Sequence, residues 1–106
     1  DRQGEEFLPS EFTLEQNFPN PFNNSTIFRF GAPEAGRITL TVYNIMGQKI
    51  YEMDSGEITA GWHQLEWGGV NQSGDLVASG IYFYRFSFKN DRGDMLFKTG
   101  KMHLIK

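Results

Sequence analysis

Two segments of this chain alternate their residues with a period of two over a full strand length, and no segment sustains a helical period. In Arg37 to Asn44, Ile38, Leu40 and Val42 point one way while Thr39, Thr41 and Tyr43 point the other. In Ile81 to Phe88, Tyr82, Tyr84, Phe86 and Phe88 line one face, with Ile81 and Phe83 starting the other. A period of two commits each segment to a sheet with one buried face, because a shift of one residue would turn the apolar set out to water.

Weaker copies of the pattern fill the rest of the chain. Thr26 to Ala32 places Phe28, Phe30 and Ala32 on one face, and Trp62 to Trp67 places His63, Leu65 and Trp67 together. Gln48 to Met53, Met95 to Phe97, and Lys101 to Ile105 read as further strands, with Met102 and Leu104 inward; Phe12 and Leu14 begin a short edge strand. Turn chemistry separates them: Pro33-Glu34-Ala35-Gly36, Asn44-Ile45-Met46-Gly47, an acidic stretch from Glu52 to Glu57, the loop from Gly68 to Gly80, and Asn90-Asp91-Arg92-Gly93-Asp94. Short alternating strands joined this way predict an all-β fold, an Ig-like antiparallel β-sandwich of about seven strands.

The 106 residues suffice for one domain, and ten Phe, four Tyr and two Trp supply its core. Asp1 to Ser10 mixes charge, Gly and Pro, so residues 1–12 are expected to be a linker from an upstream domain and residues 13–106 the domain itself. The chain starts at Asp1 and has no signal-peptide layout, which points to a fragment from the end of something longer. A net charge of −3 without a basic stripe excludes nucleic acid as the expected partner. No apolar run approaches the roughly 20 residues that span a bilayer, so no membrane insertion is expected. The absence of cysteine excludes a disulfide framework and thiolate metal sites.

No catalytic grouping emerges. His63 and His103 fall in different strands with no third imidazole, so no metal site or cofactor is expected. The serines sit in turns outside any nucleophile elbow, and the acids cluster at turns rather than facing one cleft. Asn71-Gln72-Ser73-Gly74-Asp75 has a trace of a calcium loop without its regular acidic ligands. Arg92-Gly93-Asp94 spells an adhesion tripeptide at a hairpin tip, a match that three residues reach by chance. Trp62 faces away from Trp67 and is the one candidate surface platform for a sugar.

The segment Gln16-Asn17-Phe18-Pro19-Asn20-Pro21-Phe22-Asn23-Asn24 is a stiff connector, because each proline fixes its own φ and restricts the residue before it. Phe18 or Phe22 is expected to pack into the sandwich while Pro19 and Pro21 hold the approach to the next strand. Taken with Pro33-Glu34-Ala35-Gly36, Val42-Tyr43-Asn44-Ile45-Met46-Gly47, Ala78-Ser79-Gly80-Ile81-Tyr82 and Lys101-Met102-His103-Leu104-Ile105-Lys106, this loop resembles the type A C-terminal sorting domain of the type IX secretion system. The resemblance runs from Leu14 to Lys106. Gly47, Gly80 and Tyr82 are the motif residues it shares with the related Ig-like module of the flagellar hook-capping protein. Gly68, where many relatives carry Asp, and Asn24, where many carry Pro, depart from the commonest pattern.

The resemblance implies a non-enzymatic address label. A cargo protein would reach the periplasm by another signal, and this domain would direct it through an outer-membrane translocon to the cell surface or exterior. A cell-surface sortase would cut within Asp1 to Phe12. Lys101, Met102, His103, Leu104, Ile105 and Lys106 match the family's most consistently required segment and are the expected recognition residues, at the opposite end of the chain from the structural Pro19-Asn20-Pro21-Phe22 loop. The terminal strand is expected to offer a free edge for strand addition by the receptor. The competing expectation is a carbohydrate-binding or adhesive β-sandwich from a multidomain extracellular enzyme, resting on Trp62 and the tyrosines.

Overall fold

Alternation along the chain becomes seven strands in the computed structural model, which describes residues 8–106. They are β1 (Thr13–Leu14), β2 (Thr26–Ala32), β3 (Gly36–Tyr43), β4 (Lys49–Ile58), β5 (Gly61–Trp67), β6 (Gly80–Asn90) and β7 (Met95–Leu104). All pairings are antiparallel, in a three-stranded sheet ordered β1-β2-β5 and a four-stranded sheet ordered β4-β3-β6-β7. The all-β Ig-like sandwich is therefore the observed fold.

The inward faces are those the alternation marks. Phe28 and Phe30 from β2 meet Tyr84 and Phe86 from β6, with ring centroids 4.8 to 5.5 Å apart. Ile38, Leu40 and Val42 are fully buried beside them. Offset and edge-on aromatic pairs of this kind each add about 0.5–1.5 kcal/mol beyond the area they bury. Trp67 closes one end of the core, edge-on to Tyr82 at 5.8 Å, and its indole N–H donates to the Val70 carbonyl at 3.0 Å. Phe12 closes the other, stacked on Phe88 at 5.3 Å. The packed fold thus includes Phe12, the last residue of the expected linker, while the rest of that linker lies largely outside the described residues.

Three boundaries differ from expectation. The acidic stretch after Met53, expected as a turn, continues β4 to Ile58. Its pairing with β3 slips between Arg37 and Thr39, and Gly56 takes φ +77°, so a bulge absorbs the turn-like residues without ending the strand. Arg37 bridges the same stretch through Asp54 at 3.3 Å. β6 runs on to Asn90. β7 is continuous from Met95 to Leu104, because Gly100 does not interrupt it: the Tyr84 ring of β6 lies across that position and fills the space a side chain would take. A Cβ at Gly100 would collide with the Tyr84 ring and hydroxyl.

Tyr82 and Tyr84 carry a pH signature. Burial pushes both phenols above their ordinary value of 10.0, and Tyr82 donates its hydroxyl to the Ala78 carbonyl at 2.7 Å. The folded state therefore holds these protons more tightly than the unfolded chain. Their contribution to stability is complete below pH 10 and is lost as pH rises through the folded-state values. Urea midpoints should stay level from the tyrosines' standpoint through neutral pH and fall above about pH 10, with Tyr82→Phe and Tyr84→Phe each flattening the fall.

Candidate functional site: the seam between the opening loop and the terminal strand

The proline loop and the end of the chain, 80 and more residues apart in sequence, form one structure. Phe22 pairs with Leu104 in parallel: its N–H donates to the His103 carbonyl at 3.0 Å, and its own carbonyl accepts the Ile105 N–H at 2.8 Å. The Asn20 side-chain oxygen accepts the His103 N–H at 3.0 Å, and the Gln16 amide donates to the Lys101 carbonyl at 3.1 Å. Beyond β7, the Lys106 N–H donates to the Ser79 hydroxyl at 3.0 Å. The edge of β7 from Lys101 to Ile105 is thus already occupied by this chain's own loop. That corrects the expectation of a free terminal edge at this segment.

A buried polar knot fixes the loop. Asn17, 1% exposed, donates to the Thr26 hydroxyl at 2.9 Å, and that hydroxyl donates to the Pro19 carbonyl at 2.9 Å. Phe18 exchanges both backbone hydrogen bonds with Ile27, at 3.0 and 2.9 Å. The Phe18-Pro19 and Asn20-Pro21 peptide bonds are both cis. Of the two candidate anchors Phe22 is the one used: it is 3% exposed and sits edge-on to Trp67 at 5.9 Å, whereas Phe18 is 77% exposed. Asn17→Ala should leave the Thr26 and Pro19 groups short of partners inside the fold. It should cost about 1–3 kcal/mol in urea unfolding, against less than about 0.5 kcal/mol for the exposed Asn23→Ala.

Within Lys101 to Lys106 the side chains divide by parity. Met102 and Leu104 are core, 1% and 0% exposed, while Lys101, His103, Ile105 and Lys106 face solvent. Three clefts follow the seam. One of about 250 Å³ lies between Asn20 and Pro21 on the loop and Lys101 and His103 on β7. A second of about 360 Å³ lies between Pro19, Pro21 and Ile105. The third, about 320 Å³, is walled by Asn24, Gly69, Leu76 and Lys106. The end of the sandwich that bears this seam is apolar as well: Ile45, Met46 and Leu76 at its loop tips are 70%, 81% and 72% exposed.

The other motif residues shape this end from beneath. Gly47 closes the β3–β4 turn, donating its N–H to the Asn44 carbonyl at 2.9 Å. Gly80 opens β6 at φ +155°, a conformation a side chain would strain, and Tyr82 ties the preceding loop down through Ala78.

The remaining candidates are engaged elsewhere. His63 stacks on Phe30 and its Nε2 lies 2.8 Å from the Thr59 carbonyl, on the sheet opposite His103. Among the described residues no three His, Cys, Asp or Glu side chains gather into a metal-binding group. The Asn71 side-chain oxygen accepts the Ser73 and Asp75 N–H groups, both at 3.0 Å, and so serves its own turn. Arg92 is held by Glu34 of the β2–β3 turn at 2.8 and 3.1 Å, so the guanidinium of the adhesion-like tripeptide is already engaged within this chain. The Arg29 guanidinium lies 4.2 Å over the Trp62 ring, so that face of the indole is covered.

The chain is a cysteine-free Ig-like sandwich that carries a loop-and-strand seam at one end. The chain belongs to the FlgD Ig-like domain family, whose model matches residues 20–94. That span ends one residue before β7. Among solved structures, the fold is similar to that of dimeric latent PorU from Porphyromonas gingivalis, at 18% identity and a TM-score of 0.73 over 85% of this chain and 9% of that one. It is similar also to FlgD from P. aeruginosa, at 20% identity and a TM-score of 0.64 over 76% of this chain and 62% of that one. FlgD from Xanthomonas campestris, described with hook capping, matches at 16% identity and a TM-score of 0.67 over 89% and 70%. No curated protein matches the chain. The chain therefore spans only a small part of PorU and less than two thirds of the P. aeruginosa protein.

Proposed function

We propose that this domain is a non-catalytic sorting label of the type IX secretion system, which carries an upstream cargo protein from the periplasm to the cell surface or exterior. The observation that carries the reading is the seam: the two sequence blocks at opposite ends of the resemblance, Asn20-Pro21-Phe22 and His103-Leu104-Ile105, are hydrogen-bonded to each other. A required terminal segment and a stiff opening loop then have one purpose, a composite surface presented to the outer-membrane translocon and, after export, to a sortase acting upstream. The fold shared with latent PorU supports this reading. The domain takes no cofactor, binds no nucleic acid and inserts nothing into the membrane. A sugar-binding role draws less from the geometry, since Arg29 already lies over one face of the Trp62 ring.

The test is a fluorescent reporter carrying an inner-membrane export signal and this domain at its C-terminus, expressed in a host with the type IX system. The reporter should appear outside the cell. Periplasmic retention equal to that of a reporter lacking the domain sinks the reading. The joint variant Ile105→Ser and Lys106→Glu alters only exposed side chains of the seam and should reduce export with the melting temperature unchanged.

A further inference from the structure

The loop occupies only half of the β7 edge. His103 and Lys101 turn backbone groups away from β6 toward Asn20, Phe22 and Gln16, and the β6–β7 register runs without a shift to Met95. By alternation, Thr99, Phe97 and Met95 also direct their N–H and C=O groups outward. Among the described residues nothing pairs with them. The opposite edge of the same sheet is treated differently: β4 is bulged at Gly56, carries Glu52, Asp54 and Glu57, and is covered where Gln72 binds the Ile50 carbonyl at 2.8 Å and the Glu52 N–H at 2.7 Å. β1 is two residues long. The open half of β7 instead carries Met95, Leu96 and Phe97, which are 47%, 51% and 53% exposed.

We propose that Met95 to Thr99 is a docking edge for an extended segment of a partner protein, which adds to the four-stranded sheet beside β7. The occupant follows from the chemistry. A row of outward donors and acceptors repeating every second residue is satisfied by another extended backbone about 4.8 Å away, and by no sugar, metal ion or helix. Gln16 limits the added strand to about five residues, because the seam with this chain's own loop begins there. Side chains fix its character. Phe97, with Arg85 at 5.2 Å from its ring, and Met95 call for apolar residues on the outer face. Lys98 and Lys101, exposed and without an acidic partner among the described residues, call for an acid within or beside the strand. A second copy of this chain fits less well, since antiparallel pairing centred on Phe97 sets the two Lys98 side chains diagonally across from each other.

The inference rests on the sorting reading for its biological setting, and the experiment separates the two. Thr99→Pro deletes one outward N–H without removing a β6 hydrogen bond, and Thr99→Val keeps that N–H. In the reporter assay Thr99→Pro should export about tenfold less than wild type, and Thr99→Val as wild type, with both domains melting within a few degrees of wild type. Full export by a folded Thr99→Pro domain overturns the docking edge and leaves the sorting reading standing. If the wild-type domain itself fails to export, the sorting reading falls and the edge is judged by amide exchange alone. There the probe is the peptide acetyl-Val-Asp-Val-Thr-Val-amide, which should slow exchange at Met95, Phe97 and Thr99. No protection at those amides, or dimerisation in sedimentation that Thr99→Pro abolishes, overturns the proposal.

Discussion

Removing Lys101 to Lys106 should unfold the domain, not merely silence a signal. The truncation deletes Met102 and Leu104, which are 1% and 0% exposed, together with the last stretch of the β6–β7 ladder from Phe83↔Lys101 to Gly80↔Leu104. It also strips Phe22, Asn20 and Gln16 of the backbone groups they bind. Losing a buried Met or Leu costs about 2–5 kcal/mol, so two cost roughly 4–10 kcal/mol before any hydrogen bond is counted. A domain of this size has about 5–15 kcal/mol in total. Circular dichroism of the truncated domain should show no cooperative thermal transition at the wild-type temperature. A transition within a few degrees of wild type would mean that the terminal strand is an appendage.

This bears directly on function. A deletion that abolishes export is the natural experiment for a C-terminal address, yet here it confounds recognition with folding. The exposed pair Ile105 and Lys106 separates them, because surface changes of that kind move stability by about 0.5 kcal/mol or less.

The division between buried and exposed residues of the seam was half legible in the sequence. Parity alone placed Met102 and Leu104 inward and marked Phe28, Phe30, Ile38, Leu40 and Val42 as core, because a strand's period is a local property. Nothing local says that Phe22 lies against Leu104, since that contact closes a loop of some 80 residues and is decided by which sheet edge the loop reaches. The Asn17, Thr26 and Pro19 knot was hidden for the same reason: an asparagine in a proline-rich loop looks like turn chemistry until its partner across the fold is known. The gap left between the two short strands Met95 to Phe97 and Lys101 to Ile105 has a similar cause: Tyr84, directly opposite Gly100 in the register, uses the missing side chain as space for its ring, a fit that only the paired strand reveals. The stretch from Asp54 to Glu57 misled because a bulge and a turn draw on the same residues.

Phe22→Ala should be the most damaging single substitution in the loop, at about 3–5 kcal/mol in urea unfolding. Its ring is 3% exposed and meets the Trp67 indole edge-on at 5.9 Å, so alanine would leave a cavity beside the largest side chain of the core. The backbone bonds from Phe22 to His103 and Ile105 do not need the ring, but without it the loop loses its buried anchor, and the cleft of about 360 Å³ that Phe22 lines loses part of its wall. Phe18→Ala is the control: four residues earlier in the same loop and 77% exposed, it should change stability by about 0.5 kcal/mol or less. Equal losses at the two positions would show that the loop is held by its prolines and its polar knot alone. A large loss at Phe22 with none at Phe18 assigns the anchoring to one ring, and leaves Phe18 on the surface beside Ile27, available to whatever reads the seam.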